Sequence, residues 1–311
     1  MGKKVKGLAM MLCSVLFASV LLAGCSSDSG EKKEIIASDN ATTSQDATGG
    51  SDSISTTDDS EITANITIEE QILVDRDGVI ITAKEYTTDS IWGDGIKVLL
   101  ENNSDIDVMV GCNALIVNDY MITDLFASEI AAGKKANDTI YLSSSELKAA
   151  GIDTVGKIEI YFHVYDTTSY DNIFDSDCVT IQTSEYANMD MTPNDAGTEL
   201  YNESGIRIIG KTVDENSFWG TAVLLYCENT SGKNIGISVD DMSVNGFMMN
   251  PLFATIVYDG KKSIDDITIF SSELEENGIE FIEEVELKFH IYDADTYSTI
   301  TDTDPITFSV N

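Results

Sequence analysis

Lys157-Ile158-Glu159-Ile160-Tyr161-Phe162-His163-Val164-Tyr165-Asp166 and, further along, Glu284-Val285-Glu286-Leu287-Lys288-Phe289-His290-Ile291-Tyr292-Asp293 are the stretches that decide the fold. Ile158, Ile160, Phe162 and Val164 alternate with Glu159, Tyr161, His163 and Tyr165, and the second stretch repeats the pattern. A period of two puts the apolar set on one face of a strand and the polar set on the other. Each stretch therefore reads as a half-buried β-strand.

The two strands belong to a larger repeat. Gly78 to Thr183 aligns on Gly205 to Val310 at one constant offset and without a gap, with roughly a third of the pairs identical. A match over a whole domain length marks a duplicated unit, because solenoid periods are only about 20 to 50 residues. Similar β-rich segments begin near Gly78, Ile96, Val108, Tyr120, Thr139 and Val179. Asn118-Asp119 and Asn245-Gly246, each between apolar runs, predict hairpin turns. One short helix per copy is expected, capped by Ser144 or Ser271, with Glu146 or Glu273 in its first turn and Gly151 or Gly278 as its stop. The fold class is all-β: two tandem immunoglobulin-like antiparallel β-sandwiches, each with one short helix.

The chain opens with Lys3, Lys4 and Lys6, continues through an apolar stretch from Leu8 to Leu22 and reaches Leu22-Ala23-Gly24-Cys25-Ser26. A charged start, an apolar middle and small residues before a cut form an export signal. The Cys at the cut adds a lipid-anchoring signal, preferred over a transmembrane anchor because the apolar run is marginal in length for spanning a bilayer. The expected organisation is a signal peptide over 1–24, a disordered tether over 25–64, a first domain over 65–183, a linker over 184–197 and a second domain over 198–311. The tether is expected to be disordered because Ser, Thr, Asp and Gly dominate it and cannot bury a core.

The formal charge is -36, and cleavage before Cys25 would remove three lysines, leaving about -39. Such a field repels nucleic acid and favours solubility. Of the 5 cysteines, Cys13 falls in the expected signal segment and Cys25 is the expected lipid carrier. Cys112, Cys178 and Cys227 remain, with neither a disulfide framework nor zinc spacing. Buried free thiols are the preferred reading, a Cys112–Cys178 bridge the alternative.

The lipobox, the polar tether and the blocks Glu101-Asn102-Asn103-Ser104, Val117-Asn118-Asp119-Tyr120-Met121, Ser144-Ser145-Glu146-Leu147 and Phe162-His163-Val164-Tyr165-Asp166 resemble Gram-positive surface lipoproteins with immunoglobulin-like domains of unknown function. The resemblance implies a place, the outer face of the cell membrane, and a fold. It implies no chemistry.

Four sets of residues are candidate sites. His163 and His290 are the only imidazoles, and alternation sets them on the polar face beside Glu159 and Tyr165 or Glu286 and Tyr292; a surface hydrogen-bonded pair is preferred over a ligand role. Asp175 and Asp177, with Asp302 and Asp304, recur in a loop whose carboxylates would suit calcium, but Asp is equally the residue of ordinary turns, which is the preferred reading. Trp92 and Trp219 are expected in the core, with exposed aromatics for glycan or peptide stacking as the alternative. Gly133-Lys134-Lys135 and Gly260-Lys261-Lys262 are expected to be turns, the alternative being contact with a neighbouring copy.

The expected function is a non-catalytic, lipid-anchored extracellular binding or adhesion module without a resident cofactor. Its expected partners are the membrane, through Cys25, and an envelope protein or glycan, not nucleic acid. The alternative is an accessory lipoprotein of an envelope complex. A hydrolase ranks lower, and isolation of His163 from Ser, Cys and carboxylate neighbours would remove it.

Overall fold

The computed structural model describes residues 32–37, 66–89, 91–217 and 220–310. Strands make up 60% of it and helices 5%, so the chain is all-β. Cys25, the signal segment and Trp219 lie outside the described residues.

Strand β1 (Lys33–Ala37) stands alone near the start. The first unit follows with β2 (Gln71–Arg76), β3 (Val79–Asp89), β4 (Gly93–Asn102), β5 (Val108–Val117), β6 (Tyr120–Ile122), β7 (Ala127–Ile130), β8 (Lys135–Tyr141), α1 (Ser144–Ala150), β9 (Lys157–Asp166), β10 (Asn172–Asp175) and β11 (Val179–Gln182). The second unit repeats this order: β12 (Thr198–Glu203), β13 (Ile206–Ser217), β14 (Gly220–Asn229), β15 (Ile235–Val244), β16 (Phe247–Met248), β17 (Ala254–Val257), β18 (Lys261–Phe270), α2 (Ser271–Glu276), β19 (Glu284–Asp293), β20 (Thr299–Asp302) and β21 (Ile306–Val310).

In each unit two sheets face one another. The first unit sets β2-β3-β4-β8 against a sheet centred on the β5–β9 pair, and the second sets β12-β13-β14-β18 against one centred on β15–β19. The alternation read from the sequence is realised: Ile158, Ile160, Phe162, Val164, Val285, Leu287, Phe289 and Ile291 are all fully buried. Asn118 (φ 47°) with Asp119 (φ 68°), and Asn245 (φ 49°) with Gly246 (φ 81°), make the two hairpin turns. Positive φ at both central residues is what matches a turn to the twist of its strands. The helices end as expected near Gly151 (φ 73°) and Gly278 (φ 66°). Their N-cap positions fall one residue earlier than expected, at Ser143 and Phe270, with no side-chain cap at either.

Shared polar residues explain themselves as framework. Asn102 donates to the carbonyls of Ile106 (2.8 Å) and Ile130 (2.9 Å), and Asn229 does the same to Lys233 (2.7 Å) and Val257 (2.8 Å). A buried amide must be satisfied, so these Asn residues pin the loop that follows their own strand to the end of β7 or β17.

The tether expectation over 25–64 fails at Lys33–Ala37. This segment pairs antiparallel with β13 (Lys33 opposite Val213) and with β21 (Ile35 opposite Val310), bridging the two sheets of the second unit. Ile35 is 4% exposed and belongs to the second core. The physical reason is local to the second unit. In the first unit Ile68, just ahead of β2, bridges to Thr183. The aligned residue in the second copy is Asp195, whose carboxylate instead meets Arg207 at 2.6 Å. The chain ahead of β12 has an acid where the first unit has Ile68, and Ile35 fills the slot.

The units also join directly. Strand β6 runs parallel to β18, with Tyr120 opposite Lys262, so the second unit extends its four-stranded sheet with a strand of the first. Ile209, Tyr226 and Ile264 of the second unit pack into the first core, and Met121 of the first packs against the second.

Candidate functional site

Strand alternation turns His163 and Tyr165 outward from β9, and β10 brings Asp175 alongside. His163 Nδ1 lies 2.6 Å from Asp175 Oδ1, and the same carboxylate accepts from Asn113 (2.8 Å) and Asn172 (2.8 Å). Partial burial pushes the Asp175 carboxyl upward, but the hydrogen bonds from His163, Asn113 and Asn172 outweigh it and hold it below the ordinary range. The His163 ring sits 5.4 Å from Tyr165, which stacks in turn on Tyr170 at 6.4 Å.

The second unit reproduces the arrangement. His290 Nδ1 is 2.5 Å from Asp302 Oδ1, His290 lies 5.6 Å from Tyr292, and Tyr292 stacks on Tyr297 at 6.2 Å. Tyr170 and Tyr297 are 61% and 69% exposed, and both have left-handed backbones, φ 60° and 57°. That conformation costs a side-chain-bearing residue roughly 1–2 kcal/mol. Asp166 and Asp293 build the turn that holds it: Asp166 Oδ1 accepts from Thr168 N (2.7 Å) and Ser169 N (3.1 Å), and Asp293 Oδ1 accepts from Thr296 N (3.0 Å). Hydrogen bonds from Lys233 and Thr296 hold the Asp293 carboxyl at about 2. Each unit thus carries a surface ladder of His, Tyr and Tyr, its imidazole oriented by a carboxylate. Amphipathic rings with an exposed face suit stacking against another flat or ring-shaped group. Beside the second ladder, His290, Asp302, Asp240, Asp241 and Lys288 line an open depression.

Several sequence expectations change. His163 pairs with Asp175 rather than Glu159, so it is not isolated from carboxylates, and the stated condition for removing a hydrolase is not met. Asp175 and Asp302 are engaged by the imidazoles, while Asp177 and Asp304 are exposed beside them. Among the described residues no three His, Cys, Asp or Glu gather into a metal cluster. Trp92 is 50% exposed rather than in the core, because it sits at the β3–β4 turn, beyond the sheet edge, against Tyr141. Cys112, Cys178 and Cys227 are free thiols, with Cys227 buried and Cys178 exposed, contrary to the expectation of burial for all three.

The lysine triplets part company. Lys135 makes a local ion pair with Glu101. Lys261 instead crosses to the first unit, reaching Asp119 (2.7 Å) and Glu159 (2.5 Å), which Lys157 also contacts at 2.7 and 3.1 Å. Burial alone would raise the Asp119 carboxyl, but hydrogen bonds from Lys157 and Lys261 lower it. Lys262 lies over the Tyr120 ring at 5.5 Å. The triplet of the second copy is therefore an interdomain contact, and the signal for it lay in the sheet face of its own unit. Thr82, Lys97, Leu99 and Asn137 on the first unit's outer sheet face align with Ile209, Leu224, Tyr226 and Ile264, a change from a mainly polar to an apolar face.

No family model and no curated protein matches the chain. Among solved structures, the YadV chaperone is similar at 13% identity over 73% of this chain and 98% of that one, with a TM-score of 0.23. The Salmonella enterica SafA pilin in complex with the SafB chaperone is similar at 10% identity over 69% and 88%, TM-score 0.21. A Porphyromonas gingivalis protein of unknown function is similar at 8% identity over 76% and 96%, TM-score 0.21. The chain's own strand pairing and its two cores make it an all-β protein of two repeated sandwiches.

Proposed function

We propose that this protein is a non-catalytic binding module, held at the outer face of a cell membrane by lipid on Cys25, whose two His–Tyr–Tyr ladders stack on a repeating surface glycan. The observation that carries the reading is the exposed left-handed tyrosine at the same place in both copies, Tyr170 and Tyr297. Strained residues cluster at ligand clamps, and here the strain is retained twice over a duplication that changed two thirds of the residues. Two linked sites raise avidity on a repeating ligand without a new contact. The acidic charge disfavours nucleic acid. With β1 docked in the second unit, only Ser26–Lys32 separates Cys25 from that unit, which makes it the membrane-proximal one.

Co-sedimentation of the full chain with purified cell-wall polysaccharide tests the glycan reading. Tyr170→Ala and Tyr297→Ala are each expected to weaken binding about threefold to tenfold, and the double variant more. Undiminished binding by the double variant would sink it. For the anchor, intact mass of the membrane-fraction protein should show a chain starting at Cys25 with a diacylglyceryl adduct; an uncleaved chain would remove that part alone.

A second reading, an envelope-protein partner, has its own support. Phe247 and Met248 align with Tyr120 and Met121, the residues by which the first unit docks on the second, and are 47% and 65% exposed. Cross-linking to a discrete membrane protein, lost in Phe247→Ser, would favour it over the glycan.

A further inference from the structure

We propose that the slot between β13 and β21 is a strand-acceptor site that takes the Lys33–Ala37 segment of a second copy of this chain as well as its own, so that copies join by strand exchange. The slot is open to β1 because Asp195 stands at the position where the first unit has Ile68. Among the described residues, the strands that pair with β1 and the side chains of Thr198 and Glu215 that hold it belong to the second unit. Thr198 Oγ1 donates to the Ile35 carbonyl at 2.5 Å, Lys33 meets Glu215 at 2.9 Å, and Ile35 lies over Gly210, where an added Cβ would come within 2.9 Å of Ile35 Cδ1. Among the described residues β1 pairs only with β13 and β21, so these pairings do not depend on which copy supplies the strand.

The connection permits the exchange. Residues 38–65 join Ala37 to the first unit, and at roughly 3.3 Å per residue they reach up to about 90 Å, enough to cross to a neighbour. Exchanging an identical element between copies preserves every contact it makes and is a low-cost route to association. The cis occupant is short, with one deeply buried side chain, while Ile36 is 45% exposed. Reciprocal exchange closes a dimer, and one-way exchange extends a chain of copies. The acceptor slot is separate from the His–Tyr ladders and does not rest on the glycan reading.

Two complementary variants of the full chain, purified in detergent, test this. Ile35→Asp disables the strand and leaves the slot open; Gly210→Val keeps the strand and blocks the slot, since the nearest atoms its Cβ meets belong to Ile35 and Leu200. Each alone should be monomeric by light scattering, and an equimolar concentrated mixture should form a species of twice the mass. A mixture that stays monomeric while both variants keep their β circular dichroism overturns the proposal. If either variant fails to fold, a second measurement decides. Ile36 and Ser309 are register partners, so Ile36→Cys with Ser309→Cys, in a Cys178→Ser background, should give interchain disulfide dimers after concentrated incubation and oxidation. Intrachain closure alone at every concentration overturns it equally.

Discussion

The two units share their turns, their buried asparagines and their core strands, yet one completes its sandwich with adjacent chain and the other borrows a strand from near the start of the protein. They differ again at the outer face of the four-stranded sheet, polar in the first unit and apolar in the second, where it receives Tyr120. Duplication here preserved what makes a sandwich and altered what joins one sandwich to another. Cores tolerate few changes because close packing registers even one methylene, whereas a surface changes freely until it meets a partner.

The borrowed strand offers the largest test of that contrast. Ile35→Asp places a carboxylate at a buried position and should destabilise the second unit by about 3 kcal/mol or more, whereas Ile68→Asp, at a half-buried bridge, should cost the first unit roughly 1 kcal/mol. Equal losses, measured by denaturant unfolding, would mean that the two slots are equivalent.

Protonation separates the units next. Burial lifts the Glu146 carboxyl to about 7 and the Asp124 carboxyl to about 6, against a hydrogen bond from Thr123 N in the first case and Phe126 N in the second. Asp124 aligns with Pro251, so the second unit lacks that acid. A carboxyl raised in the folded state lends stability that is full below its unfolded value, near 4.5 for Glu146, and is lost as pH rises through about 7. Stability should therefore fall from pH 5 to pH 8, by on the order of 1–3 kcal/mol for Glu146 alone. Asp265, raised by burial in the second unit, acts in the same direction. Glu146→Gln should flatten the first unit's part of the profile; an unchanged profile would refute the assignment.

The lysine triplets give the smallest contrast. Lys261→Ala leaves Lys157 to neutralise Asp119 and Glu159, so its cost should be about 1–2 kcal/mol, seen as a separation of one calorimetric transition into two. Lys134→Ala, at the aligned position, should stay within about 0.5 kcal/mol. Equal effects would deny the interface its role.

What was legible in the sequence was local. Alternation in Ile158 to Tyr165, the Asn118-Asp119 and Asn245-Gly246 turns and the helix stops at Gly151 and Gly278 are each set by residues within a few positions. Strand β1 escaped because Lys33-Glu34-Ile35-Ile36-Ala37 sits in polar sequence and acquires its burial from residues far along the chain. His163 was placed on the correct face, but its partner came from the next strand, not from its own. Trp92 departs from the burial expected of a tryptophan because its place beyond the sheet edge is set by turn geometry, which residue type does not carry.

Ile35 opposite Val310 also fixes an order of events. The first unit can pair its own strands once the chain to Thr183 is available, and Ile209, Tyr226 and Ile264 of the second unit are added to its core later. The second cannot finish until its final strand is made, and it must then recover a segment made before the whole of the first unit. Closing so large a loop adds entropy cost only logarithmically, but contacts of such sequence separation form slowly. The last native contact to form should be the one between β1 and β21.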